Sequence, residues 1–378
     1  MTEQNIAGYY RDYNIERYIR VKKLDTADGS GTQEGRNCFY TVENDRKKHQ
    51  SQFILNFSIS SDRVVCTNKS TVKCIFMPHD FSLSTGVVPS GKTAFYAQLN
   101  NSAEAKFFVG YRTRYEQVNF GLYNTIVKTG QEIYEPSIFA PQFDFWAHFI
   151  YPTAMAESNG SYWCLNTYDR AKFTFSFMQY AAHVPNGDFV LFFKKLLGLN
   201  NGTDYFPRLV IKEGRIFYRN SNGTLDQLES DTSSQKLMNY LNPSLNEVEH
   251  QEHICAARMV HWAMNDPNNR LIQVETAIDH FKKNMIDYDA RFNLDGVPAK
   301  VCQMICDIRH QGRGTNDRIA NALNTGGDFE KAFNNLCTIG EANYKPRIDT
   351  VKKTIKTLEQ AGIFNKRYER ARNTFVNM

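Results

Sequence analysis

AMAESNGSYWCLNTYDRAKFTFSFMQYAAHVPNGD spans Ala154 to Asp188, and the fold turns on how this stretch is read. The apolar run leading into it, FDFWAHFIYPTAMA, has helical spacing and stops at Glu157, where Ser158, Asn159 and Gly160 form a turn signal. Pro152 lies inside that run and is expected to kink the helix or divide it in two. Tyr162 to Phe177 reads as a hairpin, and a further helix begins about Asp188. Helix, hairpin and helix in that order predict an α+β protein.

Upstream, QFILNFSIS, RVVCTN, TVKCIFM, TAFYAQL and AKFFVGYRTRY are short β-branched and aromatic runs separated by turn residues. They predict an antiparallel sheet or small sandwich over roughly residues 37–115. Downstream, RLVIKEGRIFYRNSNGTLDQL reads as a polar hairpin insert. Beyond it, QEHICAARMVHWAMN, LIQVETAIDHFKKNMIDYDARF, AKVCQMICDIRHQG, DRIANALN and RIDTVKKTIKTLEQAG repeat apolar residues at three- and four-residue spacing, with Gly312 and Gly362 where helix C-caps belong. The expected organisation is a β-rich N-terminal accessory or adaptor domain over 1–120, then a mainly α-helical catalytic domain with a small β-hairpin sheet over 121–378.

The chain has 378 residues, 42% of them hydrophobic, with 45 basic and 40 acidic side chains and a formal charge of +5. The mild, interspersed charge argues against nucleic acid as a partner. The longest apolar stretches, such as FVLFFKKLL from Phe189, are too short and too charged to span a membrane. MTEQNIAGYYRDYNIERYIR lacks the pattern of a secretory signal, so the eight scattered cysteines read as reduced thiols of a protein made in the cytoplasm. Cys66 and Cys74 flank a possible hairpin and would pair only in an oxidising compartment.

Glycoside hydrolysis needs one protonated carboxyl and one ionised carboxylate across a scissile bond. Glu157, at the end of an apolar helix, is expected to have its ionised form disfavoured and its pKa raised, as a general acid requires. Asp169, in a polar and aromatic setting before Arg170, should stay ionised, and Thr174, at odd separation five residues on, points at the same water if a turn intervenes. The competing readings are local: Glu157 capping a turn, Asp169 pairing with Arg170, Gln179 as an amide bonded to backbone, and Asp188 as a helix N-cap. Tyr168, Phe173 and Tyr180 suit either sugar stacking or core packing.

A helix ending in Glu157, a hairpin carrying D-R-A-x-x-T-F-x-F-x-Q from Asp169 to Gln179, and a helix opened by Asn186-Gly187-Asp188 together resemble the lysozyme-like superfamily, most closely its chitosanase and phage-lysozyme branches. Ser176 stands where that family usually has glycine. ICDIRHQGRG (305–314) and PRIDTVKKTI (346–355) are similar to the helical lobe of peptidoglycan-active members. The resemblance spans roughly residues 130–378, and its specific part about thirty-five residues. It implies Glu157 as general acid, Asp169 as general base and Thr174 as holder of the attacking water. Gln179, Tyr168, Arg170 and Asp188 would bind substrate, and no metal or organic cofactor is implied.

The function so implied is that of a muramidase cutting the glycan strand of peptidoglycan, as a bacterial effector toxin or a phage lysin acting in the periplasm or wall of a target cell. A secretion-apparatus component and an immunity protein are then the expected protein partners. The alternatives are a chitosanase or chitinase, and a non-catalytic wall-binding protein on the same scaffold. Elsewhere, EVEHQEH (247–253) lacks the zinc-peptidase pattern and reads as a solvated helix face. Cys302 and Cys306 read as core thiols, and GRGTNDR is no phosphate loop.

Overall fold

A computed structural model of the chain describes residues 78–100, 102–125, 127 and 130–378, with the backbone of six strands before residue 66. The contacts divide it into two units, residues 1–80 with 99–104 and residues 81–98 with 105–378. In the first unit β1 (Tyr9–Asp12), β2 (Ile15–Lys23), β3 (Tyr40–Asn44) and β4 (Lys47–His49) form one antiparallel sheet in chain order, and β5 (Ser58–Ser60) pairs with β6 (Arg63–Val65). Cys66 and Cys74 lie outside the described residues.

The second unit is built on a seven-stranded meander in chain order. Its strands are β7 (Phe81–Val87), β8 (Thr93–Leu99), β9 (Phe107–Tyr115), β10 (Asn119–Asn124), β11 (Leu165–Asn166), β12 (Thr174–Phe175) and β13 (Tyr180–Ala181). The hairpin of the opening stretch thus belongs to the upstream sheet: Tyr123 pairs with Asn166 and Asn124 with Leu165. The sheet crosses the boundary expected near residue 120. Gly121 permits the close approach at this seam, since a Cβ there would meet the Thr167 backbone at 2.7 Å.

Between β10 and β11 the apolar run breaks into α1 (Pro136–Phe143), α2 (Phe145–Phe149) and α3 (Tyr151–Ser158). Pro152 sits in the first turn of α3, where a missing N–H is harmless, so the helix is divided as expected. Asn159, in the left-handed region at φ 52°, ends α3. After β13 come α4 (Asp188–Leu197), α5 (Gly202–Tyr205) and a three-stranded sheet of β14 (Leu209–Lys212), β15 (Arg215–Arg219) and β16 (Leu225–Gln227). Then follow α6 (Gln235–Leu241), α7 (His250–Asn265), α8 (Pro267–Phe292), α9 (Ala299–Gln311), α10 (Asn316–Leu323), α11 (Phe329–Thr338) and α12 (Glu341–Gln360), closed by the hairpin β17 (Lys366–Glu369) and β18 (Thr374–Asn377). The architecture is the expected α+β, β-rich first and helical after. No helix among the described residues is long and apolar enough to cross a membrane.

One face of the meander packs on α7 and α4. Phe95 meets His253, Phe107 meets His261 and Phe175 stacks on Phe192, with ring centroids 4.9, 5.4 and 6.4 Å apart. Phe95, Phe175 and Phe192 are buried, each burial being worth about 1.5–3 kcal/mol. EVEHQEH begins α7 but is not a solvated face. Glu252 and His253 are both buried, because this side of α7 lies against the strands. Cys302 and Cys306 are buried on α9, as core thiols should be.

Candidate functional site

Glu157 lies in the last turn of α3, at the point where the chain turns into the hairpin. Ser158 Oγ ties that end down by donating to the carbonyl of Phe177, 2.8 Å away. The Glu157 carboxyl, 15% exposed, does not stand alone. Its Oε1 is 2.7 Å from Arg347 Nη1 and 3.2 Å from His310 Nε2, and these partners are 9% and 13% exposed. Arg347 also reaches Asp307, with Nη2 2.7 Å from Oδ1. Asp307 takes a further 2.5 Å contact from Arg313 Nη1 and accepts from Thr153 Oγ1 at 3.1 Å. Four elements therefore converge: α3 supplies the acid, α9 contributes Asp307 and His310, the segment after α9 gives Arg313, and α12 brings Arg347.

This setting reverses the electrostatics expected for Glu157. Burial alone would raise its pKa, but the His310 hydrogen bond and the Arg347 charge outweigh it and hold the carboxyl below its ordinary value. For His310, burial works against the charged form, yet the Glu157 carboxylate wins and the imidazole is raised. Both shifts favour the ion pair, carboxylate on Glu157 and imidazolium on His310.

A second carboxylate and histidine lie beside this pair. The His310 and His280 rings are 6.3 Å apart at their centroids, and His280 Nδ1 is 2.8 Å from Asp188 Oδ1. Asp188 is not the N-cap of α4; Gly187 is, and Asp188 follows it with its side chain turned to His280. Gly187 is needed sterically, since a Cβ there would lie 2.7 Å from that of Val184.

Asp169 occupies the turn between β11 and β12, where its Oδ1 accepts from the N–H of Ala171 at 2.9 Å. Its charge acts on Tyr115, Tyr168 and His183, and Arg170 acts on the same His183. Tyr168 lies 5.5 Å from Tyr115, ring to ring. None of these groups is a partner of Glu157, so the two carboxylates sit among different neighbours. Thr174 is buried on β12 opposite Asn166 and Ala181.

Gln179 is fully engaged inside the hairpin. Its amide donates to the carbonyls of Cys164 and Ser176 and accepts from Asn166 Nδ2 at 2.6 Å. Ser176 has φ 94°, the backbone region that favours glycine, at a cost of about 1–2 kcal/mol. Its hydroxyl accepts from the N–H of Met178 at 3.1 Å. Phe173 is core, and buried Tyr180 donates to the carbonyl of Gln273 at 2.6 Å.

The sequence reading did not single out His310, Arg347, Asp307, Arg313 or His280. A signal was there: ICDIRHQGRG puts Asp307 and His310 three residues apart on a helix whose Ile305 and Ile308 are wholly buried. Among the described residues no group of three His, Cys, Asp or Glu side chains could hold a metal ion. In comparisons with known proteins, no family model, curated protein or solved structure matches the chain.

Proposed function

We propose that the chain is a glycoside hydrolase that cuts the glycan strand of peptidoglycan by general acid/base catalysis. The observation that carries this reading is the Glu157–His310 contact of 3.2 Å, a partly exposed acid at a helix end beside a histidine whose charged form it favours. In this mechanism His310 passes its proton to Glu157, and Glu157 passes it to the leaving glycosidic oxygen. Asp169, on the hairpin turn, accepts a proton from the attacking water, which Thr174 positions. The His310 hydrogen bond and the Arg347 charge favour the Glu157 carboxylate between turnovers, so in this mechanism its proton comes through His310 during the reaction.

Such an enzyme would act on the wall of a target cell, as an effector toxin with a delivery partner and an immunity protein, or as a phage lysin. The test is digestion of purified sacculi by the full chain and by Glu157→Gln, with mass spectrometry of the released fragments. Reducing-end muramic acid from the parent and none from the folded variant is the expected result. Equal digestion by both, or none by the parent, overturns the proposal. Cleavage of chitosan alone would move the activity to the other polymer.

A further inference from the structure

The meander has a second face. Phe175 points to α4, so Thr174, its neighbour on β12, projects to the other side. Residues directly opposite one another on antiparallel strands share a face. Following the register from Thr174 gives Asn166, then Tyr123, then Tyr111, one from each successive strand. At about 4.8 Å per strand the row runs roughly 14 Å from buried Thr174 to Tyr111, of which the half-buried part, Asn166 to Tyr111, is roughly 10 Å. Lys92 Nζ lies 5.6 Å from the Tyr111 ring centre and 5.9 Å from that of Tyr123. Beyond them the rings continue, Phe108 lying 4.7 Å from Tyr111. The tyrosines are half-buried and Lys92 is exposed.

We propose that this row is a glycan-binding platform, with Tyr123 and Tyr111 stacking on successive sugar rings and Lys92 pairing with a carboxylate carried by the glycan. A tyrosine ring offers a flat apolar surface to the C–H face of a pyranose and a hydroxyl to its polar edge. The ammonium over both rings suits an N-acylated glycan whose pendant carboxylates draw Lys92 off the ring faces. The row from Thr174 to Tyr111 contains no carboxylate, so it offers nothing to a polycationic sugar. The platform rests on the hydrolase reading for its relation to the point of cleavage, since it starts at the proposed water-holding residue. Sugar binding by the row does not itself require cleavage.

The test uses full-length Glu157→Gln protein, which should hold substrate uncut, and calorimetric titration with three oligomers of equal length: N-acetylglucosamine hexamer, a soluble peptidoglycan glycan bearing its stem peptides, and glucosamine hexamer. Adding Tyr123→Ala or Tyr111→Ala should weaken the first two by about 3- to 10-fold, the worth of one aromatic contact. Lys92→Ala should weaken only the carboxylate-bearing glycan, and Tyr→Phe at either position should restore binding. Thermal unfolding and the Phe variants separate a lost ring from a lost fold.

Binding unchanged in all three alanine variants, or tightest binding by the glucosamine hexamer, overturns the platform. If the parent fails to digest sacculi yet the alanine variants lose binding, the hydrolase reading falls and the platform stands. If digestion depends on Glu157 while the alanine variants bind as before, only the platform falls.

Discussion

Glu252 gives the sharpest measurement. Its side chain is wholly buried on α7, where Oε1 accepts from the N–H of Leu122 at 3.0 Å and from the Thr167 hydroxyl, while Oε2 is buried without a partner. Burial drives its pKa up to about 8 against the opposing hydrogen bonds. A carboxyl near 4.5 in the unfolded chain and near 8 in the folded one makes the native state the stronger proton binder. Stability is then greatest below pH 4.5 and falls with rising pH until the folded group ionises. The slope is about 1.4 kcal/mol per pH unit, and over the 3.5 units between the two values the whole loss is about 5 kcal/mol.

Glu252→Gln removes this titration. Measured by urea unfolding from pH 5 to pH 8, the variant should gain on the parent steadily, by on the order of 3–4 kcal/mol across the range. The cost of fitting an amide at Oε2 is the same at every pH and cancels from the slope. A stability difference that stays flat with pH would show that Glu252 is ionised in the fold, and the reasoning would fail. The consequence reaches the site, because Glu252 fastens Thr167, two residues from Asp169, to the helices beneath.

Three further outcomes follow from the same geometry. Arg347→Met strips a cation from Glu157 and Asp307 together; it should cost about 3–5 kcal/mol by urea unfolding, and the Glu157 carboxyl should titrate higher by carbon NMR. His310→Gln should cost about 1.5–3 kcal/mol at pH 5.5. Because the folded His310 pKa is raised, that stabilisation is complete below the ordinary histidine value of about 6.5 and fades as pH rises through the folded value, so the gap between parent and variant should narrow as pH is raised. Gly121→Ala presses a methyl against the Thr167 backbone and should cost about 1–3 kcal/mol in thermal unfolding, with no relief from a repacked side chain.

The elements were legible wherever a local period governs them. Alternation marked β8 and β9, three- and four-residue spacing marked α7 to α9, and Pro152 marked the break before α3. The charged site was not legible in that way, because its members come from segments remote in sequence. Only packing of α3, α9 and α12 brings Arg347 and His310 to Glu157, and with them the sign of its pKa shift changes. The apolar helix end before Glu157 was legible, and with it the raising pull of burial; the Arg347 and His310 partners that reverse the shift were not. In EVEHQEH the composition looked solvated, yet the approach of β9 and β10 to α7 decides that Glu252 is buried and its pKa raised to about 8. Ser176 shows the reverse case. A serine where glycine is usual marked a departure from the resembled pattern, yet its backbone takes the very turn that a glycine would supply.

The order in which the charged site is assembled has a consequence for biosynthesis. Glu157 emerges from the ribosome before Asp307 and His310, and Arg347 emerges last of the four. Until α12 docks, the acid has no guanidinium beside it, and Asp307 lacks one of its two. A growing polypeptide therefore carries an incomplete centre until α12 has been made, and a chain that stops before α12 never completes it.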